Sequence, residues 1–344
     1  MRRAGRLVHC RGIEYYTEAS SDFNRRDPHG MAPDPQQPVH IVVNPHSGYG
    51  DGQIRLAEMQ AAAHRAGLHV VTHTTRGPDD ATEYAQSVVG EAGAIIVWGG
   101  DGTAREVATG LLGSDVPMLA CPVGTENLLA KELGMPSSPA QVLEVLRTGQ
   151  VADCDVGTVN GETFLCLISV GFDAEVVRRL SARRSGHISH LTYFWPLWRT
   201  FWEHDFPRLR VAVDGREIFA DRGLAFVGNI SRYAVGLRIC RDAAIDDGLL
   251  DLVVFPCREQ SGLILNAAWT LLRLHPWKGN VVYRRVRSAR IEAEGDTPSQ
   301  VDGDVGPPAP LDIGMANGRV RLIVPNPPGG GVHRSLSIQQ GTTG

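Results

Sequence analysis

Residues 97–113 read VWGGDGTAREVATGLLG. A short apolar run ends at Trp98, two glycines, an aspartate and a third glycine follow, and from Thr103 the apolar residues recur at helical spacing. Glycine lets the main chain approach a ligand closely, and a helix start presents unpaired N–H groups with a partial positive charge. A strand, glycine loop and helix in that order therefore make a seat for phosphate. Asp101 is the odd member, because a bare carboxylate repels phosphate. Either a divalent cation bridges the two or the carboxylate bonds to neighbouring backbone amides. The plainer alternative is a glycine-rich βα turn, capped by Thr103, that holds nothing.

The pattern repeats on both sides of this stretch. VHIVVN, LHVVTH, AIIVW and PMLACP read as strands, and helical periodicity separates them in IRLAEMQAAAHRAG, DDATEYAQSVV and TAREVATGLL, with ENLLAKEL following the last. Strands alternating with helices predict a parallel sheet flanked by helices, in which ligands bind beyond the carboxyl ends of the strands. NPHSGYGDG (44–52) and CPVGTENLLAKELG (121–134) are further glycine-bearing loops, each directly after a strand. Coincident turn chemistry explains one such loop better than three.

Beyond a helix predicted in PAQVLEVLRTG the grammar changes to short strands and tight turns, with Asn160-Gly161 and Asp214-Gly215 as hairpin signals. GLAFVGN, LLDLVVF, VVYRRVRSARIEAE and RVRLIVP read as further strands, the last placed to return to the edge of the first sheet. The expectation is an α/β N-terminal domain over 39–150 and a mainly antiparallel domain over 151–325. Residues 1–38 and 326–344, rich in proline, glycine and polar residues, read as disordered extensions. Translation is expected to start at Met31, which peptides from residues 1–30 in the native protein would contradict.

The chain has 344 residues, 42% hydrophobic and 21% charged, with a formal net charge of −4. That is a globular composition with room for two cores, and it implies no nucleic-acid partner. The cysteines form no CxxC pair, which predicts reduced core thiols, a cytoplasmic protein and no structural zinc. No run reaches the roughly 18 apolar residues of a spanning helix, so any membrane contact is expected to be peripheral.

NPHSGYG (44–50), GGDGTAREV (99–107) and PVGTENLLAKELG (122–134) together resemble the catalytic domain of the diacylglycerol kinase family, close to soluble bacterial lipid kinases. The resemblance runs from about Val39 to Pro325. It implies that the second domain is a β-sandwich and that the active site lies between the domains. Carried over, the ATP contacts fall on Asn44, Thr75, Gly99, Gly100, Asp101, Gly102, Thr103, Ala104, Arg105 and Thr125. A structural Mg2+ would rest on Asp247 with backbone oxygens of Ala244 and Leu249. Asp302 would be the catalytic base and Asp304 would stand for the glutamate of the family's late Asp-Gly-Glu motif. Arg105 departs from the family's usual asparagine, and Glu126 and Leu128-Leu129 depart from its small residue and Asp-Phe pair around Asn127. The implied activity is transfer of the γ-phosphate of ATP to a lipid hydroxyl, most typically diacylglycerol giving phosphatidate. The alternatives are an NAD kinase, which shares GGDGT, and a catalytically silent lipid- or nucleotide-binding protein. Oligomeric state stays open, a homodimer included.

Read without that resemblance, DAAIDDGLLDL (242–252) is also an ordinary acidic turn before a strand, and VDGD (301–304) a hairpin turn like VDGR (213–216). In ISHLTYFWPLWRTFWEHDF (188–206), Trp195, Trp198 and Trp202 share one helical face. A helix packed on the core is the preferred reading, and a lipid-facing surface beside Arg178, Arg179, Arg183 and Arg184 is the other. His187 and His190 read as surface or lining residues.

Overall fold

In the computed structural model, β1 (Val39–Val43) is buried along its whole length and pairs in parallel with β2 (Val70–Thr74) and β3 (Ala94–Trp98). The structure describes residues 37–47, 52–181 and 198–326. A strand covered on both faces cannot alternate, which is why VHIVV and AIIVW are continuous apolar runs. β4 (Met118–Ala120) pairs in parallel with β3, giving the order β2-β1-β3-β4. The helices are α1 (Gly52–Arg65), α2 (Asp80–Ser87), α3 (Asp101–Leu111), α4 (Leu128–Glu132) and α5 (Pro139–Thr148). The α3 residues Ala104, Val107, Ala108 and Leu111 face inward, as their spacing requires.

β5 (Gln150–Val159) and β6 (Glu162–Phe164) form a hairpin through Asn160-Gly161, with φ of 49° and 91°. β7 (Leu167–Val170) and α6 (Phe172–Ser181) follow, then β8 (Arg208–Val213) turns through Asp214-Gly215, φ 50° and 72°, into β9 (Arg216–Gly228). Both turns are of the kind that Asn-Gly and Asp-Gly favour. The rest comprises β10 (Leu250–Pro256), α7 (Gln260–Leu271), β11 (Val282–Val286), β12 (Ala289–Ala293), β13 (Ser299–Val301), β14 (Asp304–Val305) and β15 (Leu311–Val324).

These strands make two layers around a second core that includes Phe164, Ile168, Leu209, Val227, Leu252 and Ile313. One layer holds β8, β12, β15, β5 and β6, and the other holds β11, β10, β7, β13 and β14. β9 serves both, pairing with β8 through its first half and with β10 and β7 through its second. The C-terminal half is thus the mainly antiparallel sandwich expected. The last strand does return: Leu322 of β15 pairs in parallel with Met118 of β4, while β15 runs antiparallel to β5. The described residues fall in one compact unit.

Several expectations need correction. VVYRRVRSARIEAE is two strands, since β11 and β12 pair in different layers and the chain crosses between them. α6 and α7 were not anticipated. Trp198 and Trp202 lie in a helical stretch, 198–203, and both are exposed, so these two do not pack on the core. Trp195, Arg183, Arg184, His187, His190, both terminal extensions and Met31 lie outside the described residues. No helix among the described residues is long and apolar enough to cross a membrane. Cys121, Cys154, Cys166, Cys240 and Cys257 are free and buried.

Candidate functional site

The three glycine loops meet at the carboxyl ends of β1, β3 and β4. Asn44 takes its place through its amide, which bonds to the Trp98 carbonyl at 3.1 Å, and its Nδ2 donates to Thr103 Oγ1 at 3.1 Å. The Gly100 amide donates to Ser47 Oγ at 3.3 Å. A Cβ on Gly124 would stand 2.6 Å from the Gly100 Cα, and one on Gly99 would stand 2.6 Å from the Thr103 Cβ. A side chain at Gly124 would force two loops apart, so glycine there is required by close approach of main chain to main chain, while Gly99 makes room for the Thr103 side chain.

α3 begins at Asp101 with Gly100 extended before it and no side chain capping its end. Its first turn therefore offers main-chain donors and the positive end of a helix to the space outside the sheet. Asp101 itself does not point there. Its carboxylate accepts from the Leu128 and Leu129 amides at 2.9 and 3.1 Å and so binds the start of α4 to the start of α3. Of the two explanations for an acid in this loop, bonding to backbone amides is the one realised. Burial lifts Asp101 to about 6 against the pull of those two amides. Asn127 stands at φ 52° with its side chain closed on the Gly124 main chain at 2.6 and 2.7 Å. Thr75 is buried at the end of β2, its amide on the Val43 carbonyl, and Ala104 is buried inside α3; Thr125 and Arg105 are part-exposed.

The sandwich approaches this loop through the β13–β14 turn. Asp302 sits at φ 50° and is 5% exposed. Its carboxylate accepts from the Leu165, Cys166 and Leu167 amides, all at 2.8–2.9 Å. Burial raises its pKa, and Arg105 and the three amides act against the rise. Asp304 faces the other way. Its Oδ2 is 3.1 Å from an Arg105 guanidinium nitrogen and 2.9 Å from where a Cβ on Gly102 would stand. Arg105 also donates to the Val301 carbonyl at 2.9 Å. The first turn of α3 and the late acidic turn thus touch across the cleft between the two halves.

Two supports were not legible as site residues. Asn229, read only as the end of a strand, is fully buried, and its Nδ2 donates to the Asp155 and Leu165 carbonyls at 2.7 and 3.0 Å. It fixes the segment that grips Asp302. Glu132 of α4 accepts from Ser231 Oγ at 2.9 Å and pairs with Arg232, a second tie between the halves. An asparagine closing an apolar strand was the available signal for the first; nothing local marks the second.

The 242–252 segment collects acids. Asp247 accepts from the Leu249 amide at 3.0 Å and pairs with Arg285, Asp155 pairs with Arg319 at 2.7 Å, and Asp251 Oδ2 is buried without a hydrogen-bond partner. Burial lifts Asp247 to about 6 and Asp251 to about 7. No group of three or more metal-type side chains occurs among the described residues. A cation here would rest on Asp247 and carbonyls, as the resemblance implies. Oxygen donors, carboxylates held above their ordinary range and an orphaned Asp251 oxygen fit a hard cation in kind.

Comparison with known proteins bears on this arrangement as a whole. The family described as the diacylglycerol kinase catalytic domain matches residues 38–159, and the family described as the YegS C-terminal NAD kinase beta sandwich-like domain matches residues 166–324. Residues 38–159 thus form a diacylglycerol kinase catalytic domain. The chain is a lipid kinase by that domain, with the match spanning all three glycine loops. The diacylglycerol kinase of Mycobacterium tuberculosis is 28% identical over 295 residues, covering 83% of this chain and 95% of the relative. That of Bacillus subtilis is 24% identical over 292 residues, covering 83% and 96%. The crystal structure of a diacylglycerol kinase from Bacillus anthracis superposes with a TM-score of 0.67 at 25% identity, covering 84% of this chain and 97% of that one. The two family matches part at residues 160–165, on the Asn160-Gly161 hairpin.

Proposed function

We propose that this lipid kinase transfers the γ-phosphate of ATP to the free hydroxyl of diacylglycerol, giving phosphatidate. The contact of Asp304 with Gly102 and Arg105 carries the reading, because it brings a carboxylate from the sandwich to the turn of α3 suited to phosphate. The first turn of α3, with Asn44, Thr103 and the Gly124-Thr125 turn, cradles the polyphosphate. Thr75 borders the same loops at the end of β2. Phosphoryl transfer needs little covalent help from protein, and its barrier falls mainly through positioning and charge neutralisation. Arg105 supplies positive charge at the transfer point.

The geometry favours a division of labour between the two late acids that differs from the family-based expectation. Asp302, saturated by amides, anchors the turn, while Asp304 orients the acceptor hydroxyl and takes its proton late in transfer. Mg2+ held by Asp247 and the Ala244 and Leu249 carbonyls would stabilise the sandwich; a cation riding with ATP would neutralise phosphate charge. A cytoplasmic protein that meets lipid at the membrane surface completes the reading, in keeping with five free thiols among the described residues.

The test is a panel of acceptors with radiolabelled ATP and Mg2+, read by thin-layer chromatography. Labelled phosphatidate from diacylglycerol, with none from NAD, is expected. Product from NAD alone would replace the reading with NAD kinase, and no product from any acceptor would leave a binding protein.

A further inference from the structure

Helix α7 is built inside out. Its buried side chains are polar: Asn266 donates to the Pro256 carbonyl at 3.1 Å and accepts from Lys278 Nζ at 2.6 Å, and Thr270 donates to the Asn266 carbonyl at 2.8 Å. Its outward face carries Ile264, Leu265, Leu271 and Leu272, exposed by 60, 50, 69 and 65%. Spacings of seven, Ile264 to Leu271 and Leu265 to Leu272, with the exposed Ala267 and Ala268 between them, place these on one stripe. Because Asn266 is bonded to Pro256 and Lys278, both outside the helix, rotating α7 to bury the leucines would orphan its amide.

The stripe continues past the helix. Leu274 donates its amide to the Trp269 carbonyl and Arg273 takes the left-handed conformation, φ 58°, which closes the helix end and carries the chain to Trp277. Trp277 is 61% exposed, with the Arg241 guanidinium 4.5 Å from its ring centroid. Single exposed apolar residues are ordinary on a surface; a contiguous row that ends in tryptophan marks a contact surface.

Charge identifies the partner. From Gln260 to Ile291 there is no aspartate or glutamate, although six cations fall there in a chain whose net charge is −4. Arg285 pairs with Asp247 and Arg290 with Glu292 and Asp312, while Arg273, Lys278, Arg284 and Arg287 make no ion pair among the described residues. Two of the neighbouring acids are paired, Asp242 with Arg241 and Asp247 with Arg285. The segment that follows the exposed Trp198 and Trp202 meets the segment before α7 at Arg222. Phe206, after their helix, accepts from Arg222, and Cys257, before α7, donates to the Arg222 carbonyl. A two-fold dimer through this face would set basic rim against basic rim. An anionic bilayer offers apolar depth beneath a negative surface, where tryptophan and arginine both settle.

We propose that the outward face of α7, with Trp277, docks this chain on an anionic lipid surface. The proposal rests on the lipid-kinase reading for its purpose, and its test is made on binding. The full-length protein is expected to sediment with vesicles containing phosphatidylglycerol and to bind phosphatidylcholine vesicles less, with the difference shrinking as salt rises. Leu271→Glu with Leu272→Glu is expected to weaken binding about tenfold or more, with circular dichroism and solution mass unchanged. In the unaltered protein, amide exchange in residues 260–278 is expected to slow on phosphatidylglycerol vesicles. Protection confined elsewhere, equal binding to both vesicle types, or a dimer that the double variant splits would each overturn the proposal. Turnover of dioctanoylglycerol without vesicles separates the two readings. A chain that binds vesicles but phosphorylates no lipid overturns the kinase reading alone. One that phosphorylates the dispersed lipid but ignores vesicles overturns docking alone.

Discussion

Val213-Asp214-Gly215 and Val301-Asp302-Gly303 are the same tripeptide twice, and the chain gives both the same backbone, with φ of 50° and 72° in one and 50° and 87° in the other. Asp214 is exposed at a sandwich corner, and Asp302 is buried under three amides. The next residue is Arg216 in the first turn and Asp304, against the first turn of α3, in the second. Local sequence therefore specifies a turn, and the role comes from what the fold brings to it. Segment 165–167, fixed by Asn229, and helix α3 do this for one copy and not for the other.

The largest expected effect tests that distinction at the fourth position. Asp304→Ala should lower kcat about 10²–10⁴-fold, while Arg216→Ala, at the matching place, leaves turnover unchanged. Steady-state kinetics on both variants decides it, and an Asp304→Ala enzyme with ordinary turnover would return the base to Asp302. Next in size is Gly124→Ala, whose Cβ must displace the Gly100 main chain. A fall of about 100-fold in kcat/KM for ATP is expected, since a misplacement near 1 Å costs about that much. The same substitution at an open glycine such as Gly279, where nothing lies within 4 Å, serves as control.

Asp302→Asn leaves one oxygen to accept from Cys166 and Leu167 but sets an NH2 donor against the Leu165 amide. It should cost about 1–3 kcal/mol per orphaned group, whereas Asp214→Asn stays within about 0.5 kcal/mol. Thermal unfolding of the pair measures the contrast directly, and equal midpoints would show that the buried turn is no anchor.

The smallest effect is on pH. Asp101, Asp247 and Asp251 are held at about 6, 6 and 7, above their ordinary values, so these three bind more protons in the folded protein than in the unfolded chain between about pH 4 and 7. Their ionisation opposes folding, so their own contribution to stability rises as pH falls from 7.5 to 5.5. About 1 kcal/mol of relief would lift the midpoint roughly 2–4 °C. His204, pushed down to about 4 by burial, and His40 and His275, lowered likewise, act in the opposite sense below about pH 6.5. His204→Phe is therefore expected to leave a midpoint that rises more steeply on acidification. Carboxylates held low by ion pairs, such as Asp221 with Arg258, act in the same sense as these histidines but only below about pH 4. Mg2+ at pH 7.5 should also raise the midpoint, and Asp247→Asn should abolish that gain.

Much of the fold was legible because the first half obeys strong local rules: buried parallel strands are continuous apolar runs, α3 keeps its apolar residues on one side, and Asn-Gly and Asp-Gly mark hairpins. α7 was illegible for the opposite reason. Its buried face is polar and its open face apolar, so periodicity points nowhere useful. The β11–β12 run hid a change of layer at Arg287-Ser288, where a lone serine, with no glycine, proline, asparagine or aspartate beside it, is the only turn residue. In the site, the glycine loops were readable because phosphate chemistry needs glycine at close approach. The directions of Asp101, Asp302 and Asp304 were not, because a carboxylate's role depends on which amides distant strands bring to it.

The pairing of β15 with β4 has a consequence for how the chain is made. Leu322 completes a sheet whose first strand begins at Val39. A ribosome must therefore deliver nearly the whole polypeptide before that sheet gains its closing neighbour. Chains released short of this point would leave the free edge of β4 open to strands of other molecules.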